Sequence, residues 1–272
     1  MDKSTLKYIL PLLALILFLS LLVFEKKKEN EVIYQRILAE QQAQKEARKN
    51  EEKNYLMGKF DPAQREDFIL VPGQYITIGG SKMYLRKETL DAFLKMQAAA
   101  DKDEMDLKIA SATRNFDYQK SIWNDKWTGA MLVGGENLSI TIPDELERFK
   151  KILEYSAVPG TSRHHWGTDI DINDSTPPYF DSEKGEKEYA WLVKNARLFG
   201  FCQPYNFKNS TRPEGYNEEK WHWSYLPLSK NFTQEYKNLI KDEDIKDFLG
   251  DEYVSGQDLI NRHVLAINPD CL

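Results

Sequence analysis

The chain has 272 residues, of which 41% are hydrophobic and 12% aromatic, enough to build a sizeable core without covalent staples. Its net charge of −6, with no basic stripe carrying interleaved aromatics, argues against a nucleic-acid binder. Two cysteines, Cys202 and Cys271, are too few for a disulfide framework or a cysteine-based zinc site; a single bridge tying down the C-terminal tail and two unpaired thiols both stay open.

From Leu6 to Phe24 the chain reads LKYILPLLALILFLSLLVF, with one lysine near its start and no acidic residue. A bilayer takes about 20 apolar residues in a helix, and no small-x-small cleavage site follows this run. The expectation is an uncleaved membrane anchor over 1–25. Lys3 and Lys7 before the run and Lys26, Lys27 and Lys28 after it leave its orientation undecided by charge. Residues 26–58 are rich in Glu, Lys, Gln and Ala, with one short apolar stripe (Ile33 with Ile37, Tyr34 with Leu38), and read as a charged helical stalk.

The remaining domain is expected over 59–272. Asp61-Pro62 has the form of a helix N-cap followed by Pro at the first helical position. Residues 74–85 alternate around Gly79-Gly80 and predict a hairpin. Leu90, Phe93 and Leu94 give a helix towards Ala100, and Leu107 to Ser111 a short strand followed by a polar loop with Arg114. Helices are predicted at Phe116–Trp127, from Asp144, and over 186–199 with Gly200 as the stop. Strands are predicted around Ile170 and Ile172 and from Trp221 to Tyr225, with a helical C-terminal region. Helices and short strands alternate without a βαβ rhythm, so the fold class is α+β, a small antiparallel sheet flanked by helices. The anchor and the charged helical stalk precede it.

The chemistry concentrates in two segments. Residues 162–171 read Ser-Arg-His-His-Trp-Gly-Thr-Asp-Ile-Asp, and residues 219–223 read Glu-Lys-Trp-His-Trp; together they hold three of the four histidines. Neutral imidazole with carboxylate is the donor set of a hydrolytic metal site that keeps one position open. His164 and Asp171 lie seven positions apart around Gly167, as a loop and a strand converging on one point require. Asp169 shares a strand face with Asp171, so it is a rival ligand or a partner that orients a ligand imidazole. His165 is likewise a ligand or a packing residue. Glu219 sits where a carboxylate can reach a water beside His222 and act as base and then acid.

These residues carry a resemblance. Ser162, His164, Gly167 and Asp171 (S-x-H-x-x-G-x-x-x-D), then Glu219, Trp221 and His222 (E-x-W-H), resemble the VanY-type D-alanyl-D-alanine carboxypeptidases, a family of zinc peptidases of bacterial cell walls. Upstream, Ser111, Arg114, Phe116 and Gln119 match the family's S-x-x-R-x-F-x-x-Q. The resemblance covers about residues 60 to 226. It implies Zn²⁺ held by His164, Asp171 and His222, with Glu219 as the catalytic base and acid. It implies Arg114 on the oxyanion or the substrate, and Ser162 and Gln119 on the peptide near its terminal carboxylate. The chain departs from the family at Asp169, where a small residue is common, and at Lys220, where Pro is. The expected activity is hydrolysis of the terminal peptide bond of peptidoglycan stem peptides, with D,D- or L,D-specificity open, by a domain outside the cytoplasm. A peptidoglycan endopeptidase of the same fold and a non-catalytic cell-wall-binding module are the alternatives.

Overall fold

A computed structural model describes residues 3–77, 79 and 81–272, with side chains from residue 11 onward among the helical residues. Two compact units emerge, 1–52 and 53–272. The described residues of the first belong to one helix, α1 (Lys3–Leu56), whose charged part is laced by i,i+4 pairs such as Arg36–Glu40 and Gln35–Glu31. Among the described residues no helix is long and apolar enough to cross a membrane. The expected span at 6–24 therefore finds no support there. Its first residues, 6–10, lie outside the described side chains, and the apolar remainder is shorter than the ~20 residues a crossing takes.

The second unit is built on alternation. Strand β4 (Asp169–Ile172) pairs antiparallel with β6 (His222–Tyr225), setting Asp169 opposite Ser224, Ile170 opposite Trp223 and Asp171 opposite His222. Because side chains alternate along a strand, one face of this pair is Ile170, Ile172 and Trp223, and the other is Asp169, Asp171, His222 and Ser224. The sheet order is β3-β4-β6-β5, all antiparallel, with β3 at Ile109–Ser111 and β5 at Phe201–Cys202. An irregularity between Ile109 and Ser111 shifts the β3 register, so that Ser111 lies opposite Asp171.

The apolar face packs on helices α2 (Lys87–Lys102) and α7 (Glu183–Asn195), where Phe93, Met96, Trp191 and Leu192 join Ile170, Ile172 and Trp223 in one core. A second core gathers Trp123 and Trp127 of α3 (Phe116–Thr128), Phe149 and Ile152 of α5 (Glu145–Leu153), and Tyr236 of α8 (Leu226–Leu239). The last turn of α1 joins it through Leu56, with Met57 beside it. Two short helices, α4 (Leu138–Thr141) and α6 (Pro177–Phe180), fill the connections. The mixed α+β architecture with small antiparallel sheets is thus present.

Several elements differ from the sequence reading. The hairpin partner of β2 (Tyr84–Arg86) is β1 (Phe68–Leu70), and residues 73–75 form a 3₁₀ turn. Ile76 instead bridges to Ile109, and Ile78 lies outside the described residues. Phe68 supplies the buried anchor for that earlier strand, which local alternation around the glycines did not reveal. Pro62 opens only a three-residue 3₁₀ turn, although Asp61 caps it. After α8 the C-terminal region runs in short 3₁₀ and π turns. Cys271 there is bonded to Cys202 of β5, which closes the question of the thiols.

Candidate active site

The polar face of the β4–β6 pair forms the floor of a cleft of about 290 Å³. His164 reaches it from a 3₁₀ turn, Arg163–Trp166, that Ser162 opens by accepting from the His164 N–H at 3.3 Å. Gly167 closes that turn at φ +70°, where an added Cβ would lie 2.4 Å from Phe68 Cε1. Glycine is therefore required both for the conformation and for the approach of Phe68. The turn and β4 then deliver His164 and Asp171 to one point.

His164, Asp171 and His222 are all buried, with one donor atom each within 4.8 Å of one another. His164 Nδ1 lies 2.8 Å from the Ala112 carbonyl, which only accepts, so Nδ1 carries the proton and Nε2 is a bare lone pair. That Nε2 faces Asp171 Oδ1 at 3.3 Å, and both atoms are buried without a hydrogen-bond partner. One such orphan costs about 1–3 kcal/mol, and two acceptors facing each other repel. A cation between them removes both penalties. His222 offers Nδ1 to the same point, 3.9 Å from Asp171 Oδ1 and 2.8 Å from Glu219 Oε2. The donor set fits a borderline divalent metal such as zinc.

Burial depresses the basicity of His164, with Arg114 adding to it, so the imidazole is neutral as a metal ligand must be. For Asp171, burial alone would raise the carboxyl. His164 and Arg114 outweigh it and hold the group at about 2. His222 is also buried, yet Asp169 and Glu219 on its two ring nitrogens pull it up to about 9. Burial raises Glu219 above the ordinary carboxylate range, against the pull of His222. Tyr205 packs edge-on against the His222 ring at 5.0 Å.

Asp169 is saturated. Its Oδ1 accepts from Arg163 Nε at 3.1 Å and lies 3.0 Å from His222 Nε2, while Oδ2 accepts from Thr168 at 2.6 Å and Ser224 at 3.0 Å. No lone pair is left over for a metal, and His222 is oriented with Nδ1 towards the cleft. His165 is used up as well. Nδ1 bonds the Arg114 carbonyl at 2.6 Å and Nε2 accepts the Gly160 N–H at 3.1 Å. Its place is to brace the loop carrying Arg114.

Arg114 stands over Asp171, Nη1 to Oδ2 at 3.6 Å, and its buried Nε has no partner. Gln119 donates from Nε2 to the Ala157 carbonyl at 2.7 Å, leaving Oε1 buried and unpaired. Ser162 and Gln119 both line the cleft. Trp221 also lines it; the strand expected from Trp221 begins only at His222.

Residues overlooked in the sequence include Arg163, fully buried between Asp169, Ser224 and Thr233. Its signal was a charge opposite to that of Asp169, six positions on in the same motif. Arg212 was also missed. It holds the long 206–217 loop by donating to the Asn206, Glu214 and Tyr216 carbonyls.

The D-alanyl-D-alanine carboxypeptidase (VanY) family model matches residues 82–228, more than half of the chain. The chain belongs to the VanY family. Putative carboxypeptidase YodJ of Bacillus subtilis is 29% identical over 147 residues, 53% of this chain and 47% of that protein. The chain thus spans about half the length of that relative. A D-alanyl-D-alanine carboxypeptidase of Enterococcus faecalis is 37% identical over 72 residues, 26% of this chain and 25% of its own length. Among solved structures, the LdcB LD-carboxypeptidase is 24% identical with a TM-score of 0.47, over 68% of this chain and 81% of the other.

Proposed function

We propose that this VanY-family chain is a zinc-dependent carboxypeptidase that removes the terminal residue from peptidoglycan stem peptides. The observation that carries the proposal is the pair of facing, partnerless acceptors, His164 Nε2 and Asp171 Oδ1, with His222 Nδ1 converging and Glu219 at 2.8 Å from it. His164, Asp171 and His222 would hold the zinc, which would supply Lewis-acid chemistry beside Glu219. Glu219 Oε2 takes a proton from the attacking water and returns it to the leaving amine nitrogen. Its burial favours a carboxyl that holds that proton between the two events. Arg114, a fixed cationic fork beside Asp171, meets the negative charge that develops on the carbonyl oxygen. Ser162 and Gln119 position the peptide.

The test is the full chain, reconstituted with zinc and given muropeptides bearing pentapeptide stems, with release of the terminal residue followed by mass spectrometry. Glu219→Ala is expected to lower kcat about 10²- to 10⁴-fold while retaining the metal. Full activity in that variant would refute the assigned base, and inert wild type that still binds the wall would replace the enzyme by a binding module.

We infer that the domain lies outside the cytoplasm, a reading supported by the Cys202–Cys271 bond, since such bonds persist in oxidising compartments. A membrane anchor at 6–24 rests on the apolar sequence alone. Recovery of the full-length protein in the salt-washed membrane fraction is its expected outcome; recovery in the supernatant removes it.

A further inference from the structure

Helix α1 stops at Leu56, and its last residues belong to the second unit, 53–272. The closing carbonyls of a helix have no partner within it. That of the buried Leu56 accepts the indole N–H of Trp166 at 3.0 Å. Trp166 ends the 3₁₀ turn that carries His164. The carbonyl of Trp166 in turn accepts from Arg86 Nε at 2.6 Å. Arg86 also donates to the Tyr55 hydroxyl, which donates to Asp67 at 2.7 Å. Trp166 is thus held at its indole and at its carbonyl, and the last turn of α1 takes part in both grips.

Gly58 follows in a left-handed conformation, φ +74°, close against the ring of His165, where an added Cβ would lie 2.5 Å from Nδ1. The same His165 nitrogen holds the Arg114 carbonyl. Gly58 O accepts the Phe116 N–H at 2.8 Å, two residues beyond Arg114, and the Arg114 N–H donates to the His164 carbonyl at 3.3 Å. Residues 56–58 therefore touch both segments that bring His164 and Arg114 to the cleft. The strap is pinned at each end, Lys53 to Asp244 at 2.6 Å and Lys59 to Asp247 at 3.6 Å. These four residues and 55–58 all lie outside the family match at 82–228. In the sequence, 26–58 reads as stalk.

We propose that residues 55–58 are a positioning element of the active site, so that the working unit begins with the end of α1 and not at residue 59. This rests on the peptidase reading above and goes beyond it. A turn of four residues makes few hydrogen bonds of its own, so the aim of His164 is set by what grips the turn from outside. Loss of the indole N–H strands the Leu56 carbonyl and frees the turn to tilt. A methyl on Gly58 pushes on His165 and, through it, on the loop of Arg114.

The experiment uses the full chain, at a temperature where circular dichroism shows every variant folded. Zinc affinity is read by competition with a chromogenic chelator, and kcat and KM on pentapeptide muropeptides. Trp166→Phe, which keeps an aromatic ring against Phe232, is expected to bind zinc about tenfold more weakly. Trp166→Phe and Gly58→Ala are each expected to lower kcat about tenfold or more with KM little changed, as misplaced reacting groups do. Ile240→Val, in the same core as Leu56, is expected to leave both readouts as in wild type. A folded Trp166→Phe with wild-type zinc affinity and kcat overturns the proposal, and so do equal losses in Ile240→Val. Should Trp166→Phe fail to fold, Tyr55→Phe serves in its place, with smaller losses of both expected and unchanged values overturning it. If wild type cleaves no muropeptide, the peptidase reading fails by itself. The zinc affinities then decide this inference: weaker binding by Trp166→Phe supports it, and equal binding overturns it.

Discussion

His222 is held from both ring nitrogens, and the partner on the far side decides how it meets a metal. Asp169 accepts from Nε2 and is itself fixed by Arg163, Thr168 and Ser224. Partners of this kind typically tune metal affinity 10- to 100-fold. Asp169→Asn should weaken zinc binding by about that factor, read by competition with a chromogenic chelator; unchanged affinity would remove Asp169 from that role. The same substitution leaves Arg163 charged and buried without its counter-ion, which costs about 3–5 kcal/mol of stability when a buried pair is broken. His165 gives a second residue-scale prediction. Burial takes its pKa from 6.5 down to about 3 in the folded chain, with its hydrogen bond to Arg114 pulling the other way. The unfolded chain therefore takes up the proton first on acidification. Stability contributed by the neutral ring is present above pH 6.5 and is lost towards pH 3, by about 1.4 kcal/mol per pH unit. Urea unfolding between pH 7 and 4.5 should show this slope, and His165→Gln should flatten it.

At the scale of elements, the site is the product of one strand pair and one turn. The β4–β6 register places Asp171 opposite His222, and a slip by one residue would send both to the apolar face. Gly167 sets how the His164 turn enters β4. In Gly167→Ala the methyl meets Phe68 and Arg86 in a left-handed backbone, which costs an ordinary residue about 1–2 kcal/mol before any clash. The variant should lose at least about 2 kcal/mol in denaturant unfolding. Its activity should fall as well, since His164 and Asp171 lie on opposite sides of the hinge. A stable variant with wild-type activity would show that the turn tolerates a different entry.

At the scale of the whole molecule, Cys202 and Cys271 close a loop across a sequence separation of 69, joining the sheet edge to the C-terminal tail. Loop-closure entropy gives such a bond at most about 4 kcal/mol. Thiol reduction should lower the unfolding free energy by roughly 2–4 kcal/mol, measured in denaturant with and without reductant; identical curves would mean that the tail is held by packing alone. Ile260, Val264 and Ile267 of the tail enter the same core as Trp123 and Phe149, so that comparison weighs the bond against the packing.

Much was legible in the sequence. Alternation around Ile170 and Ile172, the helix start at Asp144 and stop at Gly200, and the two His-rich segments pointed to the strands, helices and cleft, because period and stop signals are local properties of the chain. Only the tertiary structure decided which polar atoms were left without partners. Asp169 and Asp171 share a strand face and are indistinguishable by spacing, yet Arg163, Thr168 and Ser224 saturate one while Asp171 Oδ1 and His164 Nε2 are left facing each other. The pairing of β1 with β2 and the Cys202–Cys271 bond were hidden for the same reason. Hydrogen bonds and ion pairs are completed by residues far away in the chain, and no local pattern records which of them arrive.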